Sequence, residues 1–294
     1  MSKKPTAQVI FYTSKSNQTL GSLLHDHFPN YDGGKIVASG GVWLGSKRLL
    51  QPNHLIKVGE TIKFFVSPTQ GYSYLFSNES IVKETNDWVV VYKEPLITIA
   101  MDRSNMKFNL MAGLNDYYGL PNLNSGVQPI TRLDYRVAGL CLFSKNKASE
   151  KRLFMLMQNR RIKKRYLAVT KKCKINQTRF TLSNKLGFKN KAFIDEKNGK
   201  PSKTYFVFDS NHSDYSIFNA ITKTGRRHQV RIHSSKSIGT LVNDDQYSKE
   251  YKSKYKPIGL VASYIGFKWN GKYQKVYLPE SFKKKAITDL SFNW

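Results

Sequence analysis

Cysteine, acidic residues and long apolar runs are all scarce in this 294-residue chain. The two cysteines, Cys141 and Cys173, are too few for a disulfide framework or a cysteine-based zinc site, which favours a reducing compartment. No apolar run of about 18 residues occurs, and the first residues lack the apolar core of a signal peptide. We therefore expect a cytoplasmic protein with no membrane partner.

The glycine-rich loops that hold nucleotides are also missing. No G-x-x-x-x-G-K-S/T loop occurs, and no glycine fingerprint follows a strand and opens a helix. ATP-driven and dinucleotide-dependent chemistry, and a methyltransferase with such a loop, are therefore disfavoured, and we expect no cofactor. His228 and His233 are five residues apart in a segment that we predict to be extended, so they would face opposite sides and build no metal site.

Basic residues are abundant. The chain has 48 lysines and arginines against 20 acidic residues, which gives a net charge of +28 and a pI near 10. Such a charge indicates a polyanionic partner, unless all proteins of the host are lysine-rich. Because the charges are spread along the chain and not gathered on one amphipathic helix, nucleic acid is favoured over a membrane surface.

The pattern of apolar residues predicts two domains: a small αβ module over 1–70, a linker over 71–86, and a larger domain over 87–294. One clear helix is predicted at "ASEKRLFMLMQNRR", and strands dominate the rest, so the fold class is α+β with a mixed, mostly antiparallel sheet and flanking helices. The predicted strands of the larger domain are Trp88–Tyr92, Leu140–Phe143, Tyr166–Thr170, Thr204–Phe208, Tyr215–Ala220, Val230–His233 and Lys275–Leu278.

Both domains resemble known families. In the first, "GGVWLGSKRL" and "LIKVGETIKFF" resemble the S-four-like RNA-binding module. In the second, the segments that carry the resemblance are similar, in order and spacing over about residues 87–280, to RluA/RluD-type RNA pseudouridine synthases. These segments are "TRLDYRVAGL", "KRYLAV", "TGRRHQVRIH" and "IGTLVNDDQY", supported by "DWVVVYKEPL", "GKPSKTYFV" and "GLVASYIGF".

The resemblance implies an isomerase that breaks the N-glycosidic bond of a uridine, turns the base and rejoins it through carbon 5. It implies that Asp134 is the nucleophile or electrostatic stabiliser, that Arg231 forms a salt bridge with it, and that Tyr166 stacks on the uracil. Burial in a cleft disfavours an ionised carboxylate, and a neighbouring guanidinium opposes that effect. The chemistry adds and removes nothing, which agrees with the lack of a cofactor loop.

The resemblance also implies how RNA is held. A stacked base must be extruded before its glycosidic bond is reachable, at a cost of about a few kcal/mol. Arg132 matches the residue that fills the gap left by the flipped base, and Leu260 matches the apolar wall beneath the uracil. Gly225 allows the basic pair after it to approach the RNA backbone. The predicted RNA-binding residues are Arg132, Arg226, Arg227, His228 and Leu260.

Several positions depart from the family motifs. Thr131 stands where histidine is usual, Val137–Ala138 replaces Thr-Ser, Tyr92 replaces asparagine, and "NDD" replaces Gly-Asp. A catalytically inactive RNA-binding protein of ribosome assembly is therefore an alternative. Large-subunit ribosomal RNA is the favoured substrate, because this kind of N-terminal module accompanies such enzymes, and tRNA is the alternative substrate. We expect a monomer, since no long apolar stripe is left over.

Overall fold

The computed structural model describes residues 8–120, 126–172, 177–212, 214–252 and 255–290, so Cys173 lies outside the described residues. The chain forms two compact units. The first comprises residues 1–76 and 98–123, and the second comprises residues 77–97 and 124–294. The sequence-based division at residues 70 and 86 stays a prediction, and the contact pattern adds residues 98–123 to the first unit. No helix within the described ranges is long and apolar enough to cross a membrane.

The first unit packs short helices on a small sheet. Thr19 caps the first helix by accepting a hydrogen bond from the Ser22 N–H, and Leu20, Leu23 and Leu24 of that helix are buried, as their spacing predicts. Its sheet has the strand order β1-β6-β3-β4, and β2 pairs with β5. The elements are β1 (Gln8–Thr13), β2 (Gln18–Thr19), α1 (Leu20–His27), α2 (Gly33–Ala38), β3 (Val42–Leu44), β4 (Lys47–Leu49), β5 (Leu55–Ile56), β6 (Thr61–Val66) and α3 (Leu110–Tyr117).

The second unit is built on one large sheet whose path runs β13-β12-β14-β15-β11-β16-β10-β8-β7, with β17 beside β16 and β9 beside β10. Within it β10 and β16 run parallel and the other described pairs run antiparallel, which confirms the predicted α+β class. The strands are β7 (Ile81–Glu84), β8 (Trp88–Lys93), β9 (Gln128–Pro129), β10 (Ala138–Ser144), β11 (Lys163–Lys171), β12 (Arg179–Phe188), β13 (Ala192–Ile194), β14 (Lys200–His212), β15 (Tyr215–Thr222), β16 (Leu260–Trp269) and β17 (Lys272–Tyr277).

In the described part of the second unit the α-helices beside this sheet are α4 (Lys147–Gln158), α5 (Gln229–Ser235) and α6 (Glu280–Thr288). Helix α4 is the one predicted from the sequence. The predicted strand Val230–His233 is wrong, because these residues lie in α5. Six of the seven residues of α5 are buried, so the segment shows no helical alternation of apolar and polar residues, and "QVRIH" resembles a strand instead.

The two faces of the large sheet bury different clusters. On one face, which we call the Tyr166 face, Tyr166 and Leu260 pack with Val230 of α5. On the other face, Ile265 packs with Leu153 of α4, and α6 adds to the neighbouring cluster. Side chains alternate between faces along a regular strand, but the pairing of β11 with β16 shifts register between Arg165 and Tyr166, so the clusters themselves assign these residues to a face.

Gly139 pairs with Ala262 in the parallel ladder between β10 and β16. Its φ is +120°, and a Cβ there would lie 2.3 Å from the Ala262 N and 2.4 Å from the Ala262 O. We expect Gly139→Ala to lower the free energy of unfolding by about 3 kcal/mol or more, because neither backbone can move aside. The measurement is chemical denaturation. Gly225→Ala, where the nearest atom is the flexible Lys164 Nζ at 3.2 Å, is the control and is expected to change stability little.

Candidate active site

Asp134 lies in the turn that leads into β10. The Asp134 O accepts a hydrogen bond from the Val137 N–H at 3.0 Å. Upstream, the Thr131 Oγ1 accepts one from the Leu142 N–H at 2.9 Å, which fixes the turn to β10. The carboxylate side chain is 32% exposed, although Val137 and the whole of β10 are buried. The turn therefore holds one carboxylate at the surface of a rigid strand.

Arg231 connects this carboxylate to a second one. Its Nη1 donates to the Asp134 Oδ2 at 3.0 Å. Its Nε and Nη2 donate to the two carboxylate oxygens of Asp244 at 2.8 and 2.7 Å. Asp244 is fully buried and Arg231 nearly so. The bidentate pair fixes the guanidinium plane, Nη2 also donates to the Gln246 Oε1 at 2.8 Å, and Nη1 places a permanent positive charge beside the Asp134 carboxylate. Burial lowers the pKa of Arg231, but the hydrogen bonds and charges of Asp244 and Asp134 together outweigh burial and raise the pKa overall.

His228 lies beside the same carboxylate oxygen of Asp134 that Arg231 contacts. Its Nε2 is 3.5 Å from the Asp134 Oδ2, and its Nδ1 is 3.2 Å from the Tyr247 hydroxyl. Burial, followed by the charge of Arg231, lowers the pKa of His228 to about 4, so the ring is neutral near pH 7. A φ of +55° at the start of α5 places the ring there. The sequence assigned His228 to RNA binding, and the structure brings it to the carboxylate.

Tyr166 and Leu260 share one face of neighbouring strands. Tyr166 pairs with Ala262, and Ala168 pairs with Leu260, so the two side chains are diagonal neighbours in one apolar cluster. Burial raises the pKa of Tyr166, and the charges of Cys141 and Asp134 add to this, so its phenol stays protonated near neutral pH. The predicted tyrosine and apolar wall are thus together on the Tyr166 face.

The three predicted RNA-contacting arginines differ in their surroundings. Arg132 and Arg227 are exposed, and Arg227 lies 4.2 Å from the centroid of the Phe188 ring. Arg226 is half-buried and donates from Nε to the Pro201 O at 3.1 Å. Arg132, two residues before Asp134, has no hydrogen bond or ion pair to any described residue and is free to meet a ligand.

Buried charged residues that the sequence analysis missed hold the Asp134 turn. The Lys93 Nζ is fully buried and donates to the carbonyls of Glu94, Ile97 and Tyr135 at 2.8, 2.9 and 3.2 Å. Burial lowers the pKa of Lys93 to about 8, which leaves it mainly protonated at pH 7. Lys93 belongs to the segment "YKEP" that follows a predicted strand. A single lysine in such a segment gives no indication that its side chain is buried.

Arg136 provides a second anchor on the other side of the turn. It forms a mostly buried ion pair with Asp245 and donates to the Lys256 O at 2.6 Å and to the Asn243 O. The two consecutive aspartates thus bind different arginines, because Asp245 pairs with Arg136 and Asp244 pairs with Arg231. Arg136 is tied to this short segment directly and Asp134 is tied to it through Arg231, so the Asp134 carboxylate has little freedom to move.

The departures from the family motifs have structural roles. Asn243 stands where glycine is usual and adopts a φ of +60°, which asparagine tolerates better than most residues. Its Nδ2 donates to the Pro257 O and the Leu290 O. Val137 and Ala138 are buried, and Tyr92 stacks on Phe282 with ring centroids 4.3 Å apart. None of these side chains hydrogen-bonds Asp134, so the departures alter the supports and leave the carboxylate in place.

His233 joins α5 to β14 and makes stability depend on pH. Its ring nitrogens lie 3.0 Å from the Ser202 Oγ and 2.9 Å from the Thr204 Oγ1, and burial lowers the pKa of His233 to about 4. The unfolded chain therefore binds a proton between pH 6.5 and 4 that the folded chain does not, and stability falls as the pH falls through that window.

The free energy of unfolding of the parent protein should fall between pH 6.5 and 4.5. We expect this fall to be about 1–2 kcal/mol smaller in His233→Gln. Because the carboxylates are common to both proteins, the difference between the two curves isolates the histidine. Denaturation in urea at several pH values measures it. Parallel curves would show that His233 does not titrate in this way.

A fixed carboxylate beside a guanidinium, a protonated buried tyrosine and an apolar wall on a strongly basic protein define a candidate RNA-modifying enzyme. The family described as RNA pseudouridylate synthase matches residues 87–236. The chain belongs to this family, and it is an isomerase that acts on RNA. The resemblance to RluA/RluD-type enzymes is thereby confirmed.

Among curated relatives, ribosomal large subunit pseudouridine synthase C of Buchnera aphidicola (Acyrthosiphon pisum) is 25% identical over 82% of this chain and 81% of its own length. The protein of the same description in Rickettsia typhi is 26% identical over 81% and 80%. Among solved structures, human RNA pseudouridylate synthase domain containing 1 superposes with a TM-score of 0.59, at 23% identity over 71% of this chain and 86% of that one. The structural likeness confirms the fold.

Proposed function

We propose that this chain converts a uridine of large-subunit ribosomal RNA to pseudouridine, with Asp134 as the group that attacks or stabilises the reacting nucleotide. The observation that carries the proposal is the ion pair between Asp134 and Arg231, which presents an ionised carboxylate next to the Tyr166 face. Support for the substrate comes from the relatives described as large-subunit enzymes. The retained catalytic constellation favours turnover over an inactive RNA-binding role.

The reaction needs one bond broken and one formed. The bond between N1 of the uracil and C1′ of the ribose breaks, and a bond between C5 and C1′ forms. The hydrogen on C5 leaves to solvent and N1 gains a proton, so no atom is added. Asp134 supplies the anionic oxygen for this exchange. Tyr166 offers a ring for the detached uracil and, because it stays protonated, acts as a hydrogen-bond donor.

Access to the uridine requires extrusion of the base. Arg132 is exposed, is unpaired among the described residues and precedes Asp134 by two residues, which suits a planar cation that fills the vacated stack. Arg226 and Arg227 precede α5, where phosphates of the flipped strand would pass. Leu260 forms the apolar wall beneath the base.

Further features complete the proposal. Residues 1–70, with the helix pair α1 and α2 and the strands β3 and β6, are proposed to be the S-four-like RNA-binding module, followed by a linker over 71–86 and a catalytic domain over 87–294. We propose that the enzyme acts as a monomer in the cytoplasm. Neither inference depends on the chemistry at Asp134.

The substrate is tested with RNA transcribed from [5-³H]uridine, because isomerisation releases tritium from C5. Purified protein is incubated with large-subunit ribosomal RNA and, separately, with tRNA of the organism that encodes the chain. The proposal predicts release approaching one tritium per ribosomal RNA molecule and none from tRNA. Release from tRNA alone would reassign the substrate, and no release from either would contradict the activity.

A further inference from the structure

Three tyrosines form a surface cluster on β16 and β17, which we call the tyrosine platform: Tyr264, Tyr273 and Tyr277. The Tyr264 and Tyr277 rings pack with centroids 4.9 Å apart. A Cβ on Gly266 would lie 2.2 Å from the Tyr264 hydroxyl oxygen and 2.8 Å from that of Tyr273, so both hydroxyls lie over the glycine. The absence of a side chain at Gly266 thus lets the two phenols lie flat on the strand.

The platform lies on the same face of the sheet as the candidate active site. Ile265 belongs to the core of the opposite face, so its neighbour Tyr264 points to the Tyr166 face. Ala262, which pairs with Tyr166, precedes Tyr264 by two residues, and the pairing of β11 with β16 shifts register between Arg165 and Tyr166, so one residue of β16 bulges between the two positions. An RNA strand that places a uridine at Tyr166 therefore has the platform directly beside it.

Cations surround the platform and acids are missing. The Arg165 guanidinium lies 4.8 Å from the centroid of the Tyr264 ring, and Lys275 pairs with Gly266 across the hairpin. Lys163 and Lys268 are also exposed, and none of these four residues forms an ion pair with a described carboxylate. Strands β11, β16 and β17 contain no aspartate or glutamate. A surface of one charge sign next to aromatic rings is suited to a polyanion with stacking groups.

The exposed rings are available to a ligand. Tyr273 is 48% exposed and Tyr277 is 58% exposed, whereas Tyr264 beneath them is buried. Burial raises the pKa of Tyr264 to about 12, and the hydrogen bond to Tyr273 adds to this, so the Tyr264 hydroxyl stays neutral and repels no phosphate. The buried ring supports the two that face solvent.

We propose that the tyrosine platform binds single-stranded RNA next to the target uridine, with bases stacked on Tyr273 and Tyr277 and phosphates paired with Lys268 and Lys275. This inference rests on the proposed function for the position of the uridine. It specifies the substrate as a uridine with an unpaired neighbouring segment, because bases inside a duplex are not free to stack on protein.

The test measures binding of two fluorescein-labelled RNAs by the full chain: an unstructured 12-nucleotide oligouridine and a 12-base-pair duplex. We expect Tyr273→Ala/Tyr277→Ala to weaken binding of the single strand by about 10- to 100-fold and to change duplex binding little. Tyr273→Phe/Tyr277→Phe keeps both rings and should bind within about twofold of the parent protein. Phe154→Ala removes an aromatic side chain that is 53% exposed on α4, at the opposite face, and is the matched control.

The lysines are tested through salt dependence. Lys268→Ala/Lys275→Ala should reduce the slope of log affinity against log salt by about 1.4, since each phosphate contact on a single strand contributes about 0.7. Lys151→Ala, on exposed helix α4, should leave the slope unchanged.

Unaltered single-strand binding by the tyrosine variant overturns the proposal, as does an equal loss on the duplex. Binding to vesicles that contain anionic lipid is measured with the same variants. If the substitutions weaken only vesicle binding, the proposal is overturned in favour of a membrane surface.

The Asp134→Asn variant distinguishes a failure of the platform proposal from a failure of the proposed enzymatic activity. It leaves the platform intact and should bind the single strand like the parent protein. If the enzyme releases no tritium from any RNA, the proposed function fails while the binding results still decide the platform. If tritium is released but the tyrosine variants bind normally, only the platform is overturned.

Discussion

Asp134→Asn is expected to lower the isomerisation rate by about 10⁴-fold or more while RNA affinity stays within about threefold of the parent protein. The amide has nearly the same shape as the carboxylate and can still accept a hydrogen bond from Arg231, so the turn before β10 should persist. It has no negative charge to attack or stabilise a sugar or a base. Single-turnover tritium release measures the rate, and fluorescence anisotropy measures the affinity.

Asp245→Asn is the matched control, because that aspartate is the adjacent partner of Arg136 and does not contact Arg231 in the described structure. It should lose stability with a far smaller effect on the single-turnover rate of the folded protein. Full turnover by Asp134→Asn would remove this carboxylate from the mechanism, and equal effects of the two substitutions would reduce Asp134 to a structural role.

Arg231→Lys is expected to lower both stability and turnover although it keeps the positive charge. The Arg231 guanidinium serves Asp244 through two N–H groups and Asp134 through a third, and one ammonium cannot satisfy both carboxylates in that geometry. Because Asp244 is fully buried, we expect the free energy of unfolding to fall by about 3 kcal/mol. Turnover of the folded protein should fall by at least about 100-fold.

A double variant shows whether the pair acts as a unit. Asp134→Asn combined with Arg231→Lys should be no slower than Asp134→Asn alone, since the arginine acts through the carboxylate. Arg152→Lys is the control, because Arg152 is exposed on α4 and donates to the Asn270 side chain. Wild-type turnover by Arg231→Lys, or fully additive losses in the double variant, would contradict the positioning role of Arg231.

The sequence could predict the strands and the ion pair for different reasons. Short continuous apolar runs predict β8, β10 and the central part of β11, because residues on both faces of these strands are buried. The pairing of Asp134 with Arg231, 97 residues away, follows from the motifs alone, since no local pattern encodes it. The charge of +28 indicates a polyanion but says nothing about where on the surface it binds.

What the sequence could not predict depends on tertiary contacts. Helix α5 is short and buried on every side, so its residues carry no helical period, and the argument that placed His228 and His233 on opposite faces of a strand was wrong. Lys93 and Asp244 are polar residues that the fold buries, one among loop carbonyls and the other against a guanidinium. The tyrosine platform depends on the register in which β16 pairs with β17, and amino-acid composition does not specify that register.

The central claim is that this chain makes pseudouridine through Asp134, and carbodiimide mapping of pseudouridine across all cellular RNA tests it most directly. Pseudouridine and uridine have the same mass, so a chemical label is needed. A deletion strain is compared with the same strain complemented by wild type or by Asp134→Asn. We predict that a large-subunit ribosomal RNA site is lost on deletion, restored by wild type and not restored by the variant. An unchanged map in all strains, or a site restored by Asp134→Asn, would contradict the account.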